Sequence, residues 1–328
     1  MMVGRELESF YARDYNDLEH AETALEVKNL TCEGVFSDIS FRVRKGEILG
    51  FAGLVGAGRS EIMECIFGAR KYQSGTILLN GKEVRFTTPI QAIKAGIGLV
   101  PEDRKKQGLV LGNTVGFNLT LASIDSYING IAISDRKCQE VIDYYKEKLH
   151  IKAVADRVEL VEAGSLSGGN QQKVVFAKVL EANPSILILD EPTNHLDNDM
   201  VLWLEDYLRA WKGALVMVTH DRYFLERIVG RMAEVEDGRL FTYEGNYDKY
   251  LERKAARLES ERASERKRQA ILRREYQWVM QGPTARGTKS RERLERYEAL
   301  KAQSGPAEKS TLELNARASR LGKKTIEC

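Results

Sequence analysis

Three short, uninterrupted apolar runs stand out along the chain, at residues 48–52, 186–189 and 214–218. Such runs, bounded by glycine or charged residues, are typical of parallel β-strands that are covered on both faces. Segments of strand-like character also lie at residues 25–27, 40–43 and 76–79. The pattern therefore predicts an α/β unit built on a buried sheet.

Two other regions have the spacing of helices. In parts of residues 103–165, apolar side chains such as Val141, Ile142 and Tyr145 recur at helical intervals, which predicts a helical subdomain inserted into the sheet. From about Asn246 a sparse apolar stripe runs among charged residues, and the break at residues 282–284 is a turn signal, so we expect an antiparallel helical hairpin. The predicted divisions are a linker-like segment (1–23), the α/β unit (24–245) with its helical subdomain (about 103–165), the basic hairpin (246–305) and a polar tail (306–328).

Charge is distributed unevenly, although the net charge is only +2. Residues 251–310 carry 16 Lys and Arg against 9 Asp and Glu. Such an arm is expected either to meet a polyanion or to be a solvated, salt-bridged helix pair, and charge alone slightly favours the second.

Composition excludes several classes of protein. A hydrophobic fraction of 43% indicates a folded core. No apolar run is long enough to span a bilayer, and the acidic first twenty residues are unlike a secretory signal, which predicts a cytoplasmic protein, peripheral at the inner face of the plasma membrane if a membrane partner holds it. The four cysteines are far apart, which predicts reduced thiols rather than a zinc site or disulfides.

A glycine-rich loop follows the first apolar run and precedes a predicted helix at residues 61–67. Its backbone N–H groups and the helix N-terminus suit phosphate oxygens, and Ser60 is expected to offer its hydroxyl to Mg²⁺. Arg59 stands where lysine is usual; its planar fork does not simply replace a compact ammonium, so we expect nucleotide binding with slow hydrolysis. The alternative is a strand–helix turn without a ligand. The residues of this loop are Gly53, Leu54, Val55, Gly56, Ala57, Gly58, Arg59 and Ser60.

The second apolar run leads directly into Asp190 and Glu191. Carboxylates at the end of a buried strand are costly unless they meet a cation or water. We therefore expect Asp190 to hold Mg²⁺ and Glu191 to orient or deprotonate an attacking water. The alternative, an acidic helix cap after a core strand, is common for an isolated Asp-Glu pair.

A second phosphate-recognising loop is predicted at Ser167, Gly168 and Gly169, at the start of another helix. An ordinary Ser-capped helix is the alternative.

Four motifs occur in a fixed order, at residues 53–60, 166–172, 186–191 and 218–221, and together they closely resemble those of ATP-binding cassette (ABC) ATPases. The resemblance implies an α/β P-loop NTPase cassette with an inserted helical subdomain, here followed by an α-helical hairpin arm. ATP and Mg²⁺ are the ligands it implies, with Glu191 catalytic.

The resemblance assigns further residues. It implies that His220 contacts the γ-phosphate and the hydrolytic water, and that Glu102 lies at the position of a metal-sensing glutamine. The loop at Ser167 would cover ATP held by a second ABC cassette, so two cassettes (a homodimer or a partner chain) must meet before either site is complete. Phe36 is a weak candidate for stacking on adenine.

The two halves of the chain resemble different branches of the superfamily. Residues 1 to about 190 look like the second cassette of monosaccharide importers of the ribose/galactose type, in which the phosphate loop is degenerate. The remainder looks like an ABC-F protein, whose hairpin reaches transfer RNA and ribosomal RNA. On that resemblance, phosphates would be contacted by Arg273, Arg274, Arg286, Lys289 and Arg291. An apparent chimera is the hypothesis that joins the two.

Three functions follow as alternatives. The first is the energy subunit of a sugar importer, whose helical subdomain docks on a permease. The second is a ribosome-associated ABC-F translation factor that contacts tRNA. The third is a non-catalytic nucleotide-binding chimera.

Overall fold

The computed structural model describes residues 20–54, 56–129, 132–152, 157–280 and 290–302. Val55 and the predicted turn, most of the N-terminal segment and the tail lie outside these ranges. The chain divides into two compact units, Met1–Arg253 and Lys254–Cys328. The predicted divisions at residues 24, 246 and 306 stay predictions.

The strands are β1 Thr23–Cys32, β2 Phe36–Arg44, β3 Ile48–Gly53, β4 Ser74–Leu79, β5 Lys82–Val84, β6 Ile97–Val100, β7 Ile128–Asn129, β8 Ala132–Ile133, β9 Ile186–Asp190, β10 Ala214–Val218, β11 Arg231–Glu236 and β12 Arg239–Glu244. The α-helices are α1 Arg59–Ile66, α2 Pro89–Lys94, α3 Val115–Thr120, α4 Asp135–Lys148, α5 Gly168–Glu181, α6 Asn198–Ala210, α7 Arg222–Ile228, α8 Tyr247–Met280 and α9 Arg291–Ala302.

A six-stranded sheet carries the three predicted apolar runs as β3, β9 and β10. The strand order is β12-β11-β3-β10-β9-β6; β12 is antiparallel at the edge and the other strands are parallel. Residues of β9 and β10 are all buried, because one face of the sheet packs on helices and the other on a second core. Parallel strands place their carboxyl ends at one edge, and that edge carries the candidate site.

A second, antiparallel sheet in the order β2-β1-β4-β5 lies across from the first. The buried face of α1, including Ile62 and Ile66, belongs to the apolar core shared by the two sheets, together with Phe41 and Phe51. The rings of Phe41 and Phe51 meet edge to face, with centroids 5.2 Å apart. Helix α1 is therefore fixed by packing along its length.

The chain between β6 and β9 is mainly helical. It contains α3, α4 and α5 and the short hairpin of β7 and β8. Asn118, fully buried, exchanges hydrogen bonds with the backbone of Val110 and thereby fixes the loop before α3. Among the residues that the structure describes, no helix is both long and apolar enough to cross a membrane.

In the second unit, α8 and α9 are joined by polar contacts. Arg293 donates to both carboxylate oxygens of Glu275, at 2.5 and 3.1 Å, and its guanidinium lies 4.3 Å from the ring centre of Trp278. Arg268 donates to the carbonyl oxygen of Leu300 at 2.9 Å. The later residue of α9 meets the earlier residue of α8, so the two helices are antiparallel.

Candidate functional site

The glycine-rich loop connects β3 to α1, as the sequence predicts. Gly53 has a φ of +148°, and a Cβ there would lie 2.7 Å from the carbonyl oxygen of Val235, so no side chain fits. Gly58, with a φ of 89°, is the N-cap of α1 and provides no side-chain hydrogen bond. The N–H groups of the first turn therefore lack a cap and are available to an anion.

The remaining loop residues differ in exposure. The Leu54 side chain is 74% exposed, and its carbonyl accepts from the N–H of Ala57 at 3.1 Å. Val55 lies outside the described residues.

A cavity of about 320 Å³ opens beside this loop. Residues far apart in the sequence meet there because β3, β9 and β10 end at the same edge of the sheet. All the lining residues except Glu61 and Asn194 are site residues that the sequence predicts. The lining consists of Gly56, Gly58, Arg59, Ser60, Glu61, Glu102, Glu191, Asn194 and His220.

Asp190, the last residue of β9, is 4% exposed. Burial raises the pKa of its carboxyl group to about 7; the charges of Glu102 and Glu191 raise this pKa as well, whereas Ser60 and Arg59 lower it. Its Oδ1 atom has no hydrogen-bond partner in the part of the chain that the structure describes. A buried oxygen without a partner is unfavourable, so a group that binds it is expected to be favoured here.

The surroundings of that oxygen fit Mg²⁺. Ser60, Asp190 and Glu102 offer only oxygen atoms, the ligands that this ion prefers, and the orphaned Oδ1 would gain its missing partner. Within the described ranges, no three His, Cys, Asp or Glu side chains converge on a metal position. Phosphate and water oxygens would have to complete the coordination, as is common for Mg²⁺.

Glu191 and His220 are in direct contact. The backbone N–H of His220 donates to Glu191 Oε2 at 3.2 Å, and His220 Nε2 lies 3.4 Å from Oε1. Glu191 is buried and has a φ of +48°, a left-handed conformation that is strained for a residue with a side chain. Its N–H donates to the carbonyl of Val218 at 2.8 Å, which holds that conformation in place.

The third partner of this group comes from the glycine-rich loop. Arg59, at 7% exposure, donates from a terminal guanidinium nitrogen to His220 Nε2 over 2.8 Å. Sequence reasoning identified both residues but not the bond between them.

The loop of Ser167, Gly168 and Gly169 does not line this cavity. It lies at the N-terminus of α5, where Ser167 makes no side-chain cap and instead accepts from the side chain of Asn170 at 3.1 Å. The two predicted phosphate loops therefore do not line the same cavity.

Arg104 is a neighbour of this second loop that sequence reasoning missed. The buried Gln171 amide donates to carbonyls of residues 163, 164 and 166, so its oxygen is left to accept from Arg104 Nε at 3.2 Å. A Cβ on Gly168 would lie 2.8 Å from the Arg104 guanidinium. The only sequence signal was that Arg104 follows Glu102 by two residues.

Other predicted residues lie elsewhere. The Phe36 ring is 3% exposed and packs in the core between the sheets, so it has no open face for a base. Arg273 and Arg274 are exposed on α8, and Arg291 begins α9, where it pairs with Glu295. Arg286 and Lys289 lie outside the described residues.

Comparisons with known proteins agree with this geometry. The family model described as ABC transporter matches residues 36–194, and a second model, also described as ABC transporter, matches residues 233–314. The chain is 42% identical to the ribose import ATP-binding protein RbsA of Lacticaseibacillus paracasei over 262 residues, 79% of this chain and 50% of RbsA. It is 34% identical to the uncharacterized ABC transporter ATP-binding protein YfmR of Bacillus subtilis over 303 residues, 89% of this chain and 48% of YfmR. The chain thus spans about half the length of these relatives.

Solved structures with the same fold include the ATP-binding cassette MJ0796, in a dimeric post-hydrolysis state bound to ADP and Pi. The TM-score is 0.58 at 22% identity, over 67% of this chain and 98% of MJ0796. A bacterial Atm1-family ABC exporter with ATP bound gives a TM-score of 0.57 at 22% identity, over 72% of this chain and 42% of the exporter. The predicted cassette fold is confirmed.

Proposed function

Because this chain belongs to the ABC transporter family of ATPases, we propose that it binds ATP with Mg²⁺ in the cavity beside α1 and hydrolyses it there. One observation carries the proposal. The uncapped first turn of α1 and the contacting pair Glu191 and His220 line one cavity. The buried Asp190, whose Oδ1 has no partner within the described residues, is hydrogen-bonded to the side chain of Ser60, which also lines that cavity. These are an anion site, a cation site and a proton acceptor in contact, which is the set that phosphoryl transfer needs.

The residues of the chain divide the chemistry among them. The N–H groups from Gly58 to Ser60 and the Arg59 guanidinium bind phosphate oxygens. Ser60 and Asp190 would hold Mg²⁺, which would supply positive charge to neutralise those oxygens. Glu191 accepts the proton of the attacking water, and its buried, strained conformation keeps the carboxylate at one position.

Hydrolysis is proposed to require a second cassette. The loop at Ser167 has an uncapped helix N-terminus, yet it does not line the cavity that holds Glu191. Its anion site is therefore free for the nucleotide of another cassette, either a second copy of this chain or a partner. In this arrangement each nucleotide lies between two protomers.

The decisive test of the enzyme activity is Glu191→Gln. We expect the variant to retain ATP with Mg²⁺ while phosphate release falls by about 10²-fold or more, because the amide cannot accept the proton. Glu147→Gln, at an exposed position of α4, is the matched control and should keep the parental rate. Equal phosphate release from Glu191→Gln and the parent would remove Glu191 from the mechanism.

For the biological role, we propose the energy subunit of a sugar importer. The substrate class comes from the similarity to RbsA, which is named as a ribose import protein. The importer-type motifs of residues 1–190 support the same role. Exposed apolar side chains in the helical region, Phe117, Leu121 and Ile128, offer a surface for a permease. Affinity capture with a sugar permease tests this role, and loss of capture in Phe117→Asp should accompany unchanged ATP binding.

A second candidate is a ribosome-associated factor of the ABC-F type. The observation that favours it is the arm: α8 and α9 expose Arg273, Arg274 and Arg291 on helices matched by the second family model. Co-sedimentation with ribosomes at low and high salt separates it from the importer role.

A further inference from the structure

The cation of the phosphate loop is hydrogen-bonded to a histidine that lies just after β10, two residues beyond the end of that strand. Arg59 is the first residue of α1 and is almost fully buried. Its terminal guanidinium nitrogen lies 2.8 Å from His220 Nε2, although the two residues are 161 positions apart in the sequence.

This bond defines the state of the histidine ring. A guanidinium has N–H donors and no acceptor, so Nε2 of His220 must be the acceptor and carry a lone pair. In the neutral ring the proton then lies on Nδ1. Glu191 Oε1 is 3.4 Å from the same Nε2, but two acceptors do not hydrogen-bond, so Glu191 is held by the backbone N–H of His220 instead.

A lysine in place of Arg59 has a shorter reach. In the rotamer of Arg59 its ammonium ends one bond short of the terminal guanidinium nitrogens, so it leaves the 2.8 Å contact with Nε2. The arginine fork has several donors, so one can remain on His220 while others face the phosphate oxygens. Arginine therefore performs two tasks at a position where lysine performs one.

We propose that Arg59 is a positioning residue for His220, and that arginine at this position supports turnover instead of impairing it. The inference rests on the proposed ATPase function and deepens it. The bond holds the His220 ring beside Glu191, where the phosphates would lie under the proposed function. Loss of the bond therefore acts on the rate of hydrolysis more than on the affinity for ATP.

The experiment is a double-mutant cycle on the full chain with Arg59→Lys, His220→Ala and the double variant. We expect Arg59→Lys to lower kcat by about 10- to 100-fold while the Kd for ATP, measured with Mg²⁺, changes by less than about 3-fold. In the His220→Ala background, Arg59→Lys should cause no further loss of kcat. Arg239→Lys, at an exposed position of β12, is the matched control and should behave as the parent.

A second measurement does not depend on turnover. Long-range ¹H–¹⁵N NMR spectra of the four histidines, with the His220 signals assigned by their loss in His220→Ala, report which ring nitrogen carries the proton. The parent should carry it on Nδ1, and Arg59→Lys should change the balance of tautomers at His220 alone.

The outcomes are separable. Any of three results would overturn the role proposed for Arg59. They are higher turnover in Arg59→Lys than in the parent, the same loss of kcat from Arg59→Lys with and without His220, and a balance of His220 tautomers that Arg59→Lys leaves unchanged. If the parent fails to turn over ATP, the proposed function fails, whereas the NMR comparison still decides whether Arg59 acts on His220.

Discussion

Asp190 occupies a buried position that is unfavourable for a carboxylate but suits the binding of Mg²⁺ proposed here. Its carboxyl is buried and one oxygen has no partner, and burial raises its pKa to about 7. An unfolded aspartate loses its proton near pH 4. Between about pH 4 and pH 7 the folded chain therefore binds the extra proton, so this group makes the free energy of unfolding fall as the pH rises.

Asp190→Asn should stabilise the chain when Mg²⁺ and nucleotide are removed by a chelator. At pH 8 the free energy of unfolding of the variant should exceed that of the parent by on the order of a few kcal/mol, which is seen as a higher Tm. The difference should shrink toward pH 4 and vanish below it, where both the folded and the unfolded parent are protonated. Adding Mg²⁺ and ATP should raise the Tm of the parent and not that of the variant. A difference in Tm that is the same at pH 4 and pH 8 would contradict the assigned cause.

At this scale the sequence predicted residue types better than contacts. Gly53, Ser60, Asp190 and Glu191 follow from the rule that chemistry collects at the carboxyl ends of buried strands. The bond between Arg59 and His220 and the contact of Arg104 with Gln171 join residues 161 and 67 positions apart. No local pattern encodes such a pair, because strand order and side-chain direction decide it.

At the scale of elements, the hydrophobic pattern predicted which segments form buried strands, but not the order of those strands in the sheet. The apolar runs at residues 48–52, 186–189 and 214–218 are β3, β9 and β10, and their burial on both faces is confirmed. That β10 lies between β3 and β9 could not be predicted, since all three runs read alike. The two-residue strands β7 and β8 were missed because a segment that short has no period.

The helical region depends on a buried acid in a way that can be tested. The Glu159 side chain is 8% exposed and accepts from Arg157 and Lys146, at 3.0 and 3.1 Å. A backbone hydrogen bond, with help from these two cations, lowers its pKa to about 2. A carboxyl whose pKa is lower in the folded chain contributes stability above its unfolded pKa, and loses it as the pH falls toward 2.

Glu159→Gln should therefore lower the free energy of unfolding at pH 7 by about 1–2 kcal/mol. The difference from the parent should shrink as the pH falls below ~4.5. Denaturation followed by helical circular dichroism at pH 7 and pH 4 measures it, with the exposed Glu147→Gln as the control. A loss that does not depend on pH would mean that side-chain shape, not charge, is responsible.

At the scale of the whole molecule, the chain has two units with different sequence character. The second unit contains most of α8 and all of α9, whose sequences are rich in charged residues. The chimera hypothesis, with a junction near residue 190, stays a prediction. Resequencing of the locus tests it, and a continuous parental gene on either side of the junction would defeat it.

The arm offers the last test, because its charge fits two different roles. Arg273 and Arg274 are exposed on α8, and Arg274 Nε lies 3.9 Å from Glu275 Oε1, which is a weak ion pair. Two such cations are available to phosphates.

If they bind RNA, the logarithm of the association constant for RNA should fall linearly with the logarithm of the salt concentration. The double variant Arg273→Ala with Arg274→Ala should reduce the magnitude of that slope by about 1–2. The probe is a single-stranded RNA oligonucleotide, measured by fluorescence anisotropy between low and high salt. Arg136→Ala with Lys137→Ala removes the same charge from an exposed face of α4 and should leave the slope unchanged. Equal slopes for the two double variants would assign the arm to the other role, a solvated and salt-bridged helix pair.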